Sequence, residues 1–164
     1  MGLKMGKKGR EIVKVNVEEL ITDLNKAYAD EWIAYFYYKW AASVATGINA
    51  PNIVSELKKI ADEEKEHAEE LAERILELGG EPERDFEDLS KIANCPKINF
   101  PKDLSDLKGI LKAVIEAEGC AIEVYNNLIE KLSPCYQKDI KTFHLIEHIL
   151  AEEIAHEEAF ENLL

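Results

Sequence analysis

Four long stretches of this chain carry apolar residues at helical spacing, and each stripe is broken at a core-facing position by a glutamate. The first runs Leu20, Leu24, Ala27, then Ala34/Tyr35, Tyr38 and Ala41/Ala42, with Glu31 in its gap. The second runs Ile53, Leu57, Ile60, Ala68, Leu71, Ile75, Leu78, and places Glu64 and His67 between Ile60 and Leu71. The third runs Leu107, Leu111, Val114/Ile115, Ile122, Tyr125, Leu128/Ile129, Leu132, interrupted by Glu118. The fourth runs Ile140, Phe143, Ile146, Ile149/Leu150, Phe160, Leu163, with Glu153 and His156 between Leu150 and Phe160. Recurrence every three or four residues marks one face of an amphipathic helix. Burying one unpaired carboxylate is very costly, and four together repel one another or retain protons. Divalent cations resolve that cost.

The punctuation between stripes sets the topology. Asn16, with Glu19 three residues on, starts the first helix, and Gly47 stops it. Pro51 belongs to a first helical turn, and Gly79-Gly80 closes the second helix. The third opens near Asp103 or Ser105 and ends at Ser133-Pro134. Helices one and two, and three and four, are joined by about three residues each, so each pair forms an antiparallel hairpin. Residues 79–104 form a connection of roughly 25 residues, too long for a turn and long enough to travel the height of a bundle. Phe86, Leu89 and Ile92 suit a short helix within it. These features predict an all-α fold: a ferritin-like antiparallel four-helix bundle with one long crossover between helices two and three. Residues 16–164 form this domain, and residues 1–15 are expected to be a flexible basic tail.

The glutamates share one level. Residues equidistant from a hairpin turn lie at equal height, and the midpoints of Glu31 and Glu64 and of Glu118 and Glu153 fall on the two turns read from the breakers. Each glutamate therefore lies about 15 residues from its turn, roughly 22 Å up the bundle. The two halves also repeat: Glu31 and Glu118 are 87 residues apart, Glu64 and Glu153 are 89, and His67 and His156 are 89. A lone Glu-x-x-His most often marks a solvated face, but here four stripes, two turns and both motifs coincide. Glu31, Glu64, His67, Glu118, Glu153 and His156 therefore read as the metal-binding and catalytic set. Glu64 and Glu153 would bridge two ions, Glu31 and Glu118 would be terminal, and each histidine would bind one ion. Such donors suit two Fe ions; Mn fits as well, and Zn can compete in vitro. Glu63, Glu66, Glu70, Glu152, Glu157 and Glu158 fall off the stripes and read as solvated surface.

Composition narrows the function classes. The formal net charge of −13 opposes a duplex-binding body and favours cationic partners. No apolar run is long enough for a membrane span, and no secretory signal is apparent, so a cytoplasmic protein is expected. Three cysteines, Cys95, Cys120 and Cys135, lack CxxC spacing; their odd count argues against a disulfide framework. Tyr35 and Tyr125, on the stripes of Glu31 and Glu118, are candidates to support the ligands, with core packing as the alternative. Trp32, Phe36, Tyr37 and Trp40 face partly away from the core and suggest an oligomer contact.

The segments DEWIAYFYY, EEKEH, EAEGCAIEVY and EEIAHEEAF resemble those of the DPS-like ferritins, or thioferritins, from about residue 16 onward. Cys95 in the crossover and Cys120, two residues after Glu118, match that family's cysteine pair. The resemblance implies a redox pair or disulfide; two separate buried thiols are the alternative. It further implies a homo-oligomeric, dodecameric cage that oxidises Fe(II) with hydrogen peroxide, or less well O2, and stores Fe(III). Manganese catalase has a similar ligand set and is a rival. A rubrerythrin-like peroxidase would carry a CxxC…CxxC module and an extra carboxylate one turn after Glu118, where Ala121 and Ile122 stand. A DNA-protecting Dps-type protein is the non-enzymatic rival; the basic start of the chain is its only support.

Overall fold

The computed structural model describes residues 5–164, and among these it contains six α-helices and no strand. A short α1 (Lys7–Ile12) precedes the long α2 (Val17–Val44) and α3 (Ala50–Leu78). The crossover carries α4 (Phe86–Ile92), and α5 (Leu107–Leu132) and α6 (Ile140–Glu161) complete the bundle. A 3-10 segment, Ser133–Lys138, links the last two.

Most boundaries fall where the breakers place them. The Asn16 side chain accepts the Glu19 backbone N–H at 3.3 Å, satisfying one free donor of the first turn of α2. Pro51 sits in the first turn of α3, and Gly79 ends that helix in the left-handed region at φ 93°. Asp106, rather than Asp103 or Ser105, caps α5 by accepting the Gly109 N–H at 2.8 Å. Asp103 instead binds Ser105 in the preceding turn. The hairpin links, residues 45–49 and 133–139, are somewhat longer than three residues, since each chain leaves its helix before turning.

The expected basic tail is partly structured. Residues 1–4 lie outside the described residues, but Lys7–Ile12 is helical and the Met5 N–H donates to the Glu77 carbonyl at the end of α3.

Neighbouring long helices run antiparallel. The Thr46 N–H, after α2, reaches the Leu104 carbonyl, before α5, and at the other end Lys131 of α5 pairs with Asp23 of α2 at 2.5 Å. Arg74, near the end of α3, likewise pairs with Asp139 at the start of α6. The crossover therefore travels the length of the bundle, and α2 supplies its rail. Asn25 accepts the Glu83 N–H at 2.8 Å, and Asp30 accepts the Cys95 N–H at 2.9 Å and the Asn94 amide at 2.7 Å.

The apolar core is split into two clusters. One gathers Tyr38, Ile53, Leu57, Ile60, Val114 and Phe160; the other gathers Leu24, Leu71, Ile75, Tyr125, Ile146 and Ile149. Between them lie Glu31, Glu64, His67, Glu118, Glu153 and His156, all buried. The interruptions in the four stripes are a polar layer across the middle of the bundle.

Candidate metal centre

Helix periodicity carries the four carboxylates and two imidazoles inward, because each replaces an apolar residue on a stripe that must face the core. Two overlapping groups result, each with ligand atoms mutually within 4.8 Å: Glu31, Glu64, His67 and Glu153, and Glu64, Glu118, Glu153 and His156. Glu64 and Glu153 belong to both, which is the arrangement expected of bridging carboxylates. His67 Nδ1 lies 3.0 Å from Glu153 and 3.5 Å from Glu31, and His156 Nδ1 lies 3.1 Å from Glu64 and 3.7 Å from Glu118.

The polar atoms facing this centre have no hydrogen-bond partner. They are Glu31 Oε2, Glu64 Oε1, Glu118 Oε2, both Glu153 oxygens and both histidine Nδ1 atoms. Buried polar groups are ordinarily satisfied, so inward-facing acceptors on four helices constitute a receptacle for cations. Carboxylate oxygens with imidazole nitrogens and no thiolate suit two divalent transition-metal ions.

The remaining atoms of these side chains are held from behind. Tyr38 Oη–H donates to Glu118 Oε1 at 2.5 Å, and Tyr125 Oη–H donates to Glu31 Oε1. Each phenol comes from a different apolar cluster and clamps a carboxylate on the helix opposite its own. Tyr125 was expected near the site; Tyr35 does not join it and instead packs edge-on against Trp32, with ring centroids 5.7 Å apart. Tyr38 takes the second position. It follows Glu31 by seven residues, as Tyr125 follows Glu118, and that repeat is its sequence signal.

The imidazoles are oriented in the same reciprocal manner. His67 Nε2 lies 2.7 Å from Glu152, and His156 Nε2 lies 3.1 Å from Glu63. Glu63 and Glu152 are therefore not simply solvated: by engaging Nε2 they leave Nδ1 as the nitrogen turned toward the centre. The doubled Glu of both Glu-Glu-x-x-His motifs is the signal for them.

Electrostatics agree with a site short of positive charge. Burial, then the surrounding carboxylates, pushes Glu64 and Glu153 well above the ordinary carboxyl range. Burial acts the same way on Glu31, but the neighbouring Glu64 carboxyl, the His67 imidazole and the Tyr125 hydroxyl outweigh it and hold that group low. Burial would lower His67 and His156, yet the facing glutamates raise both. Tyr38 and Tyr125 are raised well above 10 by burial and by the carboxylates, so they remain donors.

Cys95 and Cys120, the pair that the resemblance singles out, are joined in a disulfide with Cα atoms 5.9 Å apart, a single bridge despite the odd cysteine count. It ties the crossover to α5 beside Glu118. A cavity of about 30 Å³ lies between this bridge and the carboxylate layer, bordered by Cys95, Ile98, Ala121, Glu31 and Glu118. Cys135 is free in the 3-10 link. Phe36 and Trp40 are exposed, while Tyr37 and Trp40 pack against Phe100 of the crossover. A third acidic group, Glu83, Asp85 and Asp88, sits on the crossover, where the Glu83 side chain is occupied by the Arg84 and Asp85 N–H groups.

The ferritin profile, a ferritin-like domain, matches residues 21–164. The chain belongs to the ferritin-like family. It is 37 % identical over 150 residues to the DNA protection during starvation protein of Pyrococcus furiosus, covering 92 % of this chain and 79 % of that one. It is 32 % identical over 154 residues to the bacterioferritin of Desulfovibrio desulfuricans, covering 94 % and 77 % of the two chains. Among solved structures, the dodecameric thioferritin of Bacteroides fragilis, a bacterioferritin-related protein, superposes with a TM-score of 0.87 at 32 % identity, covering 96 % of this chain and 92 % of that one. Among the described residues, no helix is long and apolar enough to cross a membrane.

Proposed function

We propose that this ferritin-like protein is a ferroxidase: it takes Fe(II) as substrate at the six-residue centre, oxidises it with hydrogen peroxide or O2, and stores the Fe(III). The observation that carries the reading is the set of unpartnered carboxylate and imidazole atoms converging from all four long helices. Two Fe(II) held side by side lose one electron each and together reduce one hydrogen peroxide, with two protons, to two waters, so no hydroxyl radical is released.

The protein's part is to hold the pair. Glu64 and Glu153 each reach both positions, Glu31 and His67 complete one, and Glu118 and His156 complete the other. Tyr38 and Tyr125 fix the terminal carboxylates, and Glu63 and Glu152 fix the imidazole tautomers. Four carboxylates offset the charge of two divalent ions, and the net charge of −13 draws Fe(II) to the surface. The likeness to a dodecameric thioferritin supports assembly of this chain into a cytoplasmic cage, with the Phe36–Trp40 face as a contact between copies. The Cys95–Cys120 bridge would then be a redox element beside the small cavity that borders the carboxylate layer.

The test is stopped-flow Fe(II) oxidation with peroxide. Glu64→Ala and Glu153→Ala are each expected to abolish the rapid phase while circular dichroism remains helical; unchanged kinetics in both would overturn the assignment.

A further inference from the structure

Cys95 lies in irregular backbone between α4 and α5, and it is fastened from two sides. Among the described residues, no main-chain hydrogen bond holds residues 94–102, and Pro96 has no N–H to offer. Asp30 of α2 ties this backbone instead. Its side chain, in a residue only 9 % exposed, turns both carboxylate oxygens to the crossover: Oδ1 accepts the Cys95 N–H at 2.9 Å and Oδ2 accepts the Asn94 amide at 2.7 Å. From the other side, Cys120 of α5 closes the disulfide.

The repeat that relates Glu31 to Glu118 provides an internal control. The same offset places Ala117 opposite Asp30 and Ile33 opposite Cys120. The acid and the thiol therefore do not belong to the duplicated ligand set. Each stands on one hairpin alone, and both meet the same two crossover residues, Asn94 and Cys95.

The two halves of the bridge also have different surroundings. Cys95 borders the small cavity beside Glu31 and Glu118, whereas Cys120 borders an open hollow of about 400 Å³ with the exposed Glu123 and Asn127. An external dithiol entering that hollow meets Cys120. Its thiolate attacks Cys120 Sγ, the bond to Cys95 breaks, and Cys95 leaves with the electron pair and gains a proton. The second external thiol then displaces Cys120, which gains the other proton. The bridge takes up two electrons and two protons, and the dithiol becomes a disulfide.

We propose that Asp30 is the positioning residue of this couple: it holds Cys95 in place after the bridge is reduced, so that Cys120 meets it again and the disulfide re-forms within the chain. Two thiols already held together re-pair in preference to two that must search, because the entropy of closing the loop is lost beforehand. Ile98, buried three residues on, keeps the rest of the crossover packed, so removing the Asp30 contacts frees Cys95 while the bundle stays folded. The proposal rests on the reading of the bridge as a redox element and makes that element reversible; it needs no iron.

The experiment equilibrates the full-length chain, without added metal, in mixtures of reduced and oxidised dithiothreitol, then alkylates the thiols and reads the fraction modified at Cys95 and Cys120 by mass. In Asp30→Ala the bridge is expected to be half reduced at a ratio of reduced to oxidised dithiothreitol about tenfold lower than in the native chain, the scale of one charge-assisted hydrogen bond. Asp30→Asn keeps an acceptor for the Cys95 N–H and is expected to stay near the native midpoint, with Asn94→Ala between the two. A purely structural Asp30 would lower the melting temperature equally in the reduced and oxidised chains and leave the midpoint where it is. The native midpoint in Asp30→Ala, or in Asn94→Ala should Asp30→Ala fail to fold, overturns the proposal, as does a native bridge that no ratio reduces. The ferroxidase reading fails separately, through unchanged oxidation in Glu64→Ala and Glu153→Ala.

Discussion

The α2–α3 hairpin and the α5–α6 hairpin carry the same chemical sequence in the same order, yet neither half can make the site alone. Each contributes a terminal glutamate, a shared glutamate, a histidine and a tyrosine, and the supporting contacts cross to the other hairpin. Tyr38 supports Glu118 and Tyr125 supports Glu31; Glu152 orients His67 and Glu63 orients His156. The exchange of supports ties the two repeating halves together across the centre. The halves differ outside the imidazoles, where Lys59 lies 3.8 Å from Glu63 at one end and His148 lies 3.7 Å from Glu152 at the other.

The largest effects should ignore that difference. Glu64→Ala and Glu153→Ala lie in opposite hairpins but belong to both ligand groups, so their losses of rapid oxidation should be equal; retention of one subsite in either variant would break the equivalence. Next come the carboxylates behind the imidazoles. Glu63→Gln and Glu152→Gln are each expected to weaken Co(II) binding by about 10–100-fold, with Glu152→Gln the more damaging because its contact to the imidazole is the shorter, 2.7 Å against 3.1 Å. Indistinguishable isotherms would restore the symmetry.

Acidity offers a third comparison. Glu64, Glu153, His67 and His156 are all raised in the metal-free protein. A group raised by folding stabilises the folded state fully below its unfolded pKa and loses that contribution as pH rises through the folded value. For these groups the loss begins near about pH 4 for the carboxyls and about pH 6.5 for the imidazoles, and it continues upward. Metal addition should therefore release protons at pH 7 and flatten the alkaline fall in melting temperature; an indicator dye in weak buffer and a thermal melt check both. The smallest effect belongs to the phenols. Tyr38→Phe and Tyr125→Phe each remove one hydrogen bond to a carboxylate, worth about 1.5–3 kcal/mol, and thermal melts should show similar costs from either half.

The fold was legible because its signals are local. Stripes, the Asn16 cap, Pro51, Gly79 and the long crossover each report on a few neighbouring residues; helix boundaries such as the Asp106 cap and the short helix α1 escaped. The six central side chains were legible because a charged residue on an apolar stripe has few physical explanations. The rest needed three dimensions. Tyr38 fits its stripe as an ordinary core residue, and only its hydroxyl, seven residues from Glu31, betrays a second task. Glu63 and Glu152 look solvated along their own helices and acquire partners only because α3 and α6 lie side by side. Asp30 is buried by the crossover it anchors, and burial raises its carboxyl to about 6 while the Cys95 and Asn94 hydrogen bonds act against that rise.

The split core has a mechanical meaning as well. With the carboxylate layer between them, the upper and lower apolar clusters share little packing, so their cooperation in unfolding depends on what fills the layer. Cations held by ligands from all four helices would tie the two ends together, so hydrogen exchange in both clusters is expected to slow on metal addition. Loading the centre would thus change how large a piece of the molecule must move at once, and backbone amides far from any ligand would show it.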